Sequence, residues 1–250
     1  MSSAAILAAA LCVLAALAAP AAAGPVESLR NGLFRHHSAD GRDAAAPPVA
    51  RYISEDGDVF TFDRSQPKAL LKFDNSFEVW ALQPSPAPRG DTIYKNDLGE
   101  PVVRATRLGG ITIFTDQRPG GSAAALEGPG DPLRLAIMGP QALFERLKQA
   151  SFRASHAAHR PILFEAEANP TSSAVIADAA MVTSEALVRL SKRADTRRLL
   201  DRILRVHITE GRNSAAQVQD GTLQVTVAPP QGLAGRPSSD RIVQVAEALR

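Results

Sequence analysis

The chain has almost no cysteine. Its one cysteine, Cys12, lies within the first 23 residues, so a chain cleaved behind that segment contains no thiol. Disulfides, thiolate catalysis and zinc sites with cysteine ligands are therefore excluded from such a mature chain. Its stability has to come from the burial of apolar side chains.

The chain also lacks a large excess of either charge. It carries 28 basic and 26 acidic residues, which gives a net charge of +2 at pH 7. Nucleic-acid binding needs a concentrated positive field, so no nucleic acid is expected as a partner. No catalytic or cofactor-binding motif of high specificity is present, so the sequence assigns no catalytic residue and no cofactor.

One apolar run stands at the N-terminus. It extends without a charge from Ala4 to Pro20 and is followed by three alanines, a pattern of small residues that signal peptidase recognises. This pattern predicts a signal peptide over residues 1–23 and export to the periplasm or the extracellular space. An uncleaved membrane anchor is the alternative, although the run is short for a transmembrane helix. After cleavage, no transmembrane span is expected.

Four segments of different composition follow the predicted signal peptide. They are a disordered leader (24–49), an antiparallel β module (50–116), a Gly/Pro-rich loop (117–131) and an α+β module (132–250). The leader is polar and without periodicity, and the loop is rich in turn-forming residues. We therefore predict an α+β fold in which an N-terminal antiparallel β-meander precedes an α+β portion with one long helix.

The β module is predicted from short strand-like runs with turn residues between them. Six such runs lie between Tyr52 and Thr115. Asp56-Gly57 is the clearest hairpin turn, because both residues tolerate the backbone that a two-residue turn requires. Asn96 to Gly99 forms a second turn signal. Sheet, rather than helix, is expected throughout this segment.

The periodicity becomes helical after the loop. Gly139-Pro140 predicts the start of one helix, and apolar residues at helical spacing from Val175 to Leu190 predict a long helix capped by Ser172 or Ser173. A terminal helix is expected behind Ser239 or Asp240. Strands are predicted over residues 133–138, 162–167, 206–209 and 217–227.

The hairpin around residues 92–107 is the candidate binding site. Tyr94 offers an amphipathic ring, Lys95 a mobile cation and Asp97 a carboxylate in the turn. Arg104 and Arg107 would add forked donors for an anionic ligand, although alternation in a strand places them on opposite faces. The alternative is that these charges only hold the turn together.

His156 and His159 are the candidate metal ligands. They lie three residues apart and would share one helix face if the helix from Pro140 extends that far. Glu165 or Glu167 could supply an oxygen ligand. The alternative is that both histidines are surface or capping residues, since Arg160-Pro161 ends the helix directly behind them.

A third feature is a concentration of positive charge in residues 189–205. Two aspartates interrupt the seven basic residues there, so the segment is expected to be a solvated helix face or, alternatively, a face towards an anionic envelope surface. The basic residues are Arg189, Lys192, Arg193, Arg197, Arg198, Arg202 and Arg205.

The segment Arg89 to Glu100, together with Arg104-Ala105-Thr106 and the run Gly109 to Thr115, resembles an uncharacterised family of exported bacterial proteins, the domain-of-unknown-function 4908 type. The resemblance implies an envelope setting and brings no activity and no catalytic residues. Because the mature chain lacks a thiol, a recognisable nucleophile motif and a strong metal-ligand spacing, we expect an exported, non-enzymatic binding or scaffolding module. Its expected partner is an unidentified envelope component or protein. The alternative is a periplasmic hydrolase with metal assistance from His156 and His159.

Overall fold

Eight antiparallel strands form a closed barrel in the first half of the part of the chain that the computed structural model describes, residues 47–249. Each strand pairs with the next in sequence, and the eighth pairs with the first. The predicted signal peptide (1–23) and the predicted leader up to residue 46 lie outside the described residues. The strands are β1 (Val49–Ser54), β2 (Val59–Asp63), β3 (Ala69–Phe73), β4 (Val79–Pro86), β5 (Thr92–Lys95), β6 (Pro101–Ala105), β7 (Ile111–Thr115) and β8 (Arg118–Pro129).

The barrel interior is filled by the inward-facing side chains of successive strands. Tyr52, Phe60 and Phe62 are fully buried there, together with Leu71 and Ile113. Alternation places every second side chain of a strand on the same face, which is why these short runs can each contribute to one core. The turns predicted at Asp56-Gly57 and at 96–99 are present, and no α-helix interrupts residues 52–115.

The prediction of a loop over residues 117–131 is wrong. Residues 118–129 form β8, the longest strand, which closes the barrel by pairing with β7 and β1. The segment has weak strand propensity, but main-chain pairing with two neighbours overrides that preference. Its small residues also have a packing reason, because a Cβ at Gly121 would lie 2.8 Å from Phe114 Cε1.

The strand predicted over residues 133–138 is also absent, since residues 130–139 contain neither helix nor strand. This segment crosses from the barrel to the first helix. Leu133 and Leu135 pack against the outside of the barrel, and the Leu133 amide donates to Asp63 Oδ2 at 3.0 Å. The alternation of apolar residues therefore reflects contact with the barrel wall and not pairing in a sheet.

The C-terminal part (residues 130–249) contains four α-helices and a four-stranded sheet. Two helices of 19 and 20 residues occur where one long helix was expected. The elements are α1 (Pro140–Ala158), β9 (Leu163–Ala166), α2 (Ser173–Lys192), α3 (Ala194–Leu200), β10 (Arg205–Glu210), β11 (Ala215–Gln219), β12 (Thr222–Val227) and α4 (Ser239–Glu247).

The sheet of the C-terminal part has the order β11-β12-β10-β9. β10 is parallel to β9 and β12, and α2 and α3 provide the crossover between β9 and β10. β11 and β12 form a hairpin, whose turn at Asp220-Gly221 divides the strand predicted over residues 217–227 into two. Val206, Ile208 and Val225 are fully buried in the core that the helices share with the sheet, whereas the opposite face of the sheet is polar.

The helices begin where local chemistry favours it. Pro140 is the first residue of α1, where its missing N–H costs nothing. Asn169 Oδ1 accepts from the amides of Thr171 and Ser172 ahead of α2. Ser238, one residue before the predicted caps, accepts from the Arg241 amide at 3.0 Å and caps α4.

The barrel and the C-terminal part meet on an apolar surface. Leu70 and Val79, on the outer face of β3 and β4, pack with Leu233 and Ala234 of the C-terminal part. This explains why Ala69-Leu70-Leu71 is an uninterrupted apolar run, because that strand is covered on both faces. The division into separate modules over 50–116 and 132–250 stays a prediction.

A buried ion cluster lies beside this apolar surface. Arg236 forms an ion pair with Asp178 of α2, and its Nη2 donates to the Val79 carbonyl at 2.8 Å. Its Nη1 lies 3.6 Å from Glu78 Oε1, which also accepts from the Ser239 amide at 2.9 Å. Burial raises the pKa of the Glu78 carboxyl, and Arg236 opposes that increase. The cluster thus ties the barrel to α2 and α4.

The α+β class and the N-terminal antiparallel meander are confirmed. The sequence did not predict that the meander closes into a barrel. Between residues 47 and 249, no helix has the length and apolar character needed to cross a membrane.

Candidate ligand-binding site at the barrel mouth

Alternate turns of an up-and-down barrel lie at the same end. The turns β1–β2, β3–β4, β5–β6 and β7–β8 meet at one end, and α2 and α4 approach the same end from the C-terminal part. A cavity of about 620 Å³ opens there, within the size range of small-molecule sites. We call this cavity the barrel mouth and define it by six of its lining residues: Asp58, Phe73, Trp80, Glu100, Phe114 and Asp116.

Three half-buried aromatic side chains line the barrel mouth. Phe73 ends β3, Trp80 lies near the start of β4 and Phe114 lies near the end of β7. The rings of Phe73 and Trp80 are 6.3 Å apart at an interplanar angle of 80°, and Phe73 also contacts Phe60 of the barrel core. The edge-to-face pair holds both rings in defined positions while part of each surface faces the cavity.

The charged groups of the barrel mouth are mainly carboxylates. Arg189 of α2, the only cation that lines the described cavity, is bound to Asp240 of α4 at 2.6 Å. Glu100 accepts a hydrogen bond from Asn96 Nδ2 at 3.0 Å. Among the described residues, Asp58, Glu100 and Asp116 have no cationic partner, so the rim of the cavity is negative.

The residues predicted from the 92–107 hairpin lie elsewhere. The ring of Tyr94 packs edge-on against Phe62 at 4.9 Å and belongs to the barrel core. Lys95 and Asp97 line a smaller cavity of about 130 Å³. Asp97 accepts from the amide and hydroxyl of Ser238 at 2.9 and 2.6 Å, so its carboxylate holds the cap of α4 against the barrel.

Arg104 and Arg107, the two arginines of the predicted binding site, both contact Asp91. Arg104 donates from Nε at 2.8 Å and from Nη2 at 2.5 Å to Asp91 Oδ2, and the Arg107 amide donates to Oδ1 at 3.3 Å. The bonds from Arg104 hold the pKa of the Asp91 carboxyl below its usual range. The Arg107 side chain lies along Gly90. The five predicted residues therefore occupy three environments rather than one site.

Among residues 47–249, no third ligand joins the candidate metal ligands His156 and His159. His156 lies in the last turn of α1, and His159 caps the helix in the left-handed conformation with a φ of 54°. Their ring centroids are 6.5 Å apart. Glu167 lies instead beside His207, at 3.7 Å. Within residues 47–249, no group of three histidine, cysteine or acidic side chains is arranged to hold a metal ion.

Sequence reasoning missed the barrel mouth because its residues come from four separate turns and two helices. One signal was available, since Trp80 is the only tryptophan of the chain. A lone tryptophan beside the turn residues Asp74-Asn75 marks a large aromatic surface at a strand end, where partial exposure is expected. The edge-to-face contact of Trp80 with Phe73 and the position of Phe114 in the lining of the same cavity do not follow from residue spacing.

Neither the curated proteins nor the solved structures contain a match to this chain. A family model does match, over residues 28–246, and thus covers the whole barrel and nearly all of the C-terminal part. The chain therefore belongs to the family described as Domain of unknown function (DUF4908).

Proposed function

We propose that this protein is an exported, non-enzymatic binding protein of the cell envelope whose barrel mouth holds a small amphipathic cation. The observation that carries the proposal is the cavity of about 620 Å³, with three aromatic side chains on its wall and unpaired carboxylates on its rim. The signal peptide predicted over residues 1–23 supports the envelope setting.

The aromatic wall favours a ligand with an apolar body. Phe73, Trp80 and Phe114 are half-buried and leave ring surface towards the cavity. Removing this surface from water stabilises a complex in proportion to the apolar area covered. A compact aromatic or branched aliphatic group therefore fits the wall better than a highly solvated ion.

The rim selects the charge of the ligand. Asp58, Glu100 and Asp116 are not neutralised by any described cation, and Arg189 is already bound to Asp240. An anionic ligand would meet repulsion at this rim, whereas an amine would be attracted. Aromatic faces add to this preference because they attract cations.

Trp80 provides the test, since its emission is the only tryptophan signal of the chain. Three probes with the same aromatic body separate the charge effects: benzyltrimethylammonium, benzyl alcohol and benzoate. We expect the cation to change Trp80 emission in a saturable way with the lowest Kd, the neutral alcohol to bind more weakly and benzoate to bind least.

Matched variants locate the binding. Phe114→Ala removes part of the wall and should weaken cation binding at least about tenfold. Phe152→Ala is the control, because Phe152 is a 73 % exposed phenylalanine on α1 that does not line the cavity. Asp116→Asn should reduce the preference for the cation over the alcohol while leaving alcohol binding in place.

Three outcomes would contradict the proposal: no saturable change with any probe, equal binding of benzoate and the cation, or equal effects of Phe114→Ala and Phe152→Ala. The alternative of a metal-assisted hydrolase has no supporting cluster among the described residues. The binding role is supported by the aromatic wall and the carboxylates of the barrel mouth.

A further inference from the structure

A further cavity lies where α1 and α2 end and α3 begins. Its volume is about 460 Å³. His159, the cap of α1, Lys192, the last residue of α2, and Arg197 and Arg198 of α3 all line it. We call it the basic cleft. It shares no residue with the barrel mouth.

The basic cleft gathers those cations of residues 189–205 that have no bonding partner among the described residues. Four of the seven basic residues of that segment are bound elsewhere in the protein. Their partners are Asp240 for Arg189, Asp195 and Glu247 for Arg193, the Leu249 carbonyl for Arg202 and Thr222 Oγ1 for Arg205.

The other three basic residues have no partner among the described residues. They are Lys192, Arg197 and Arg198, and all three line the basic cleft. The only carboxylate in the lining is Asp201, so three cations face one anion even before His159 is counted. The positive potentials of three exposed cations add when the cations line one concave site. Such an arrangement increases their mutual repulsion, and an anion bound in the cleft would relieve it.

We propose that the basic cleft binds a phosphate group. Arg197 and Arg198 carry planar guanidinium groups whose paired N–H donors match phosphate oxygens, and Lys192 adds a compact ammonium group. The cleft is larger than one phosphate, so it has room for a diphosphate or for the group to which a phosphate is attached. The phosphate belongs either to a soluble molecule or to a lipid headgroup.

A structural explanation competes with this assignment. Cations near the last turn of a helix interact favourably with its dipole, and Lys192, Arg197 and Arg198 all lie near the ends of α2 or α3. If that were their only role, their removal would destabilise the helices and leave anion binding unchanged. The two explanations therefore make opposite predictions for binding and for melting.

Calorimetric titration of the purified protein with inorganic pyrophosphate tests the proposal. The double variant Arg197→Gln/Arg198→Gln should weaken binding at least about tenfold, and the wild-type affinity should fall as salt is added. The control is Arg134→Gln/Arg212→Gln, which changes the net charge equally. Arg134 and Arg212 are exposed, have no described partner and do not line the cleft, so the control should bind pyrophosphate within about twofold of the wild type.

Vesicles separate the two sources of the phosphate. A lipid headgroup is supported if the wild type sediments with phosphatidylglycerol vesicles but not with phosphatidylcholine vesicles. The variant Arg197→Gln/Arg198→Gln should then no longer sediment with phosphatidylglycerol. Pyrophosphate binding without vesicle binding supports a soluble molecule. The proposal is overturned if neither probe binds, if both double variants lose binding equally, or if the cleft variant only lowers the melting temperature.

Discussion

Arg236 and Glu78 are far apart in sequence, yet the Arg236 guanidinium lies 3.6 Å from the Glu78 carboxylate in a site where both side chains are almost completely buried. Arg236 also binds Asp178, so one cation of the C-terminal part serves two carboxylates. Removing one member of such a cluster leaves a buried charge without compensation, which costs more than the cluster itself contributes.

Arg236→Met should therefore lower the free energy of unfolding by roughly 3–5 kcal/mol. Burial already raises the pKa of Glu78. A carboxyl whose pKa is raised in the folded state favours folding at low pH, and that contribution is lost as the pH rises through the folded-state pKa. The loss of unfolding free energy in Arg236→Met should hence be larger at neutral pH than at acidic pH. Urea unfolding of the variant and the wild type at a series of pH values measures this loss.

Two further variants serve as controls for Arg236→Met. Glu78→Gln in the same background removes the uncompensated carboxylate and should recover part of the loss, because the amide oxygen can still accept from Ser239. Arg212→Met changes an exposed arginine and should stay within about 0.5 kcal/mol of the wild type. Equal stability of Arg236→Met and Arg212→Met would disprove a stabilising role for the cluster.

The second prediction concerns Asp91, whose carboxylate accepts three hydrogen bonds from Arg104 and Arg107. These bonds lower the pKa of Asp91. The stabilisation that these hydrogen bonds give is fully present above the ordinary pKa of aspartate. It is lost as the pH falls through the pKa of Asp91 in the folded state. Asp91→Asn should melt below the wild type at about pH 7, and the gap should close towards about pH 3.

Asp131→Asn is the matched control for Asp91→Asn, because Asp131 is exposed and has no described partner. Its melting temperature should follow that of the wild type at every pH. A gap between Asp91→Asn and the wild type that is constant over the whole pH range would mean that the Asp91 charge is not the source of the stability.

The third prediction tests β8 as the strand that closes the barrel. Gly121 has a φ of +87°, and a Cβ there would lie 2.6 Å from Thr112 Cγ2 and 2.8 Å from Phe114 Cε1. Gly121→Ala should cost about 1–3 kcal/mol from the backbone conformation alone, with a further cost for moving the Phe114 ring. Urea unfolding measures the loss.

The neighbouring Gly120 provides the control for the β8 prediction. A Cβ at this position meets nothing within 4 Å, so Gly120→Ala should change the stability by less than about 0.5 kcal/mol. If the two alanine variants unfold at the same urea concentration, β8 does not hold Gly121 in the described conformation.

The hairpin around residues 92–107 shows which features a short segment of sequence determines. The turn chemistry around Asn96 and the charge of Arg104 follow from the sequence, whereas the choice of their partners does not. Arg104 is bound to Asp91, and Asp97 is bound to Ser238 near the C-terminus. Neither pairing follows from spacing, because charged side chains in a strand can find partners on any neighbouring element.

The sequence by itself determined the features that depend on near neighbours. Asp56-Gly57 and Asp220-Gly221 make their turns because these residues tolerate the required backbone wherever they occur, and Pro140 begins a helix for an equally local reason. Only the tertiary structure decided the rest. β8 became a strand because two neighbouring strands offered main-chain partners, and Phe73, Trp80 and Phe114 met at one mouth because the barrel closed. Such contacts are stabilised by groups distant in sequence, so no pattern within a single segment can specify them.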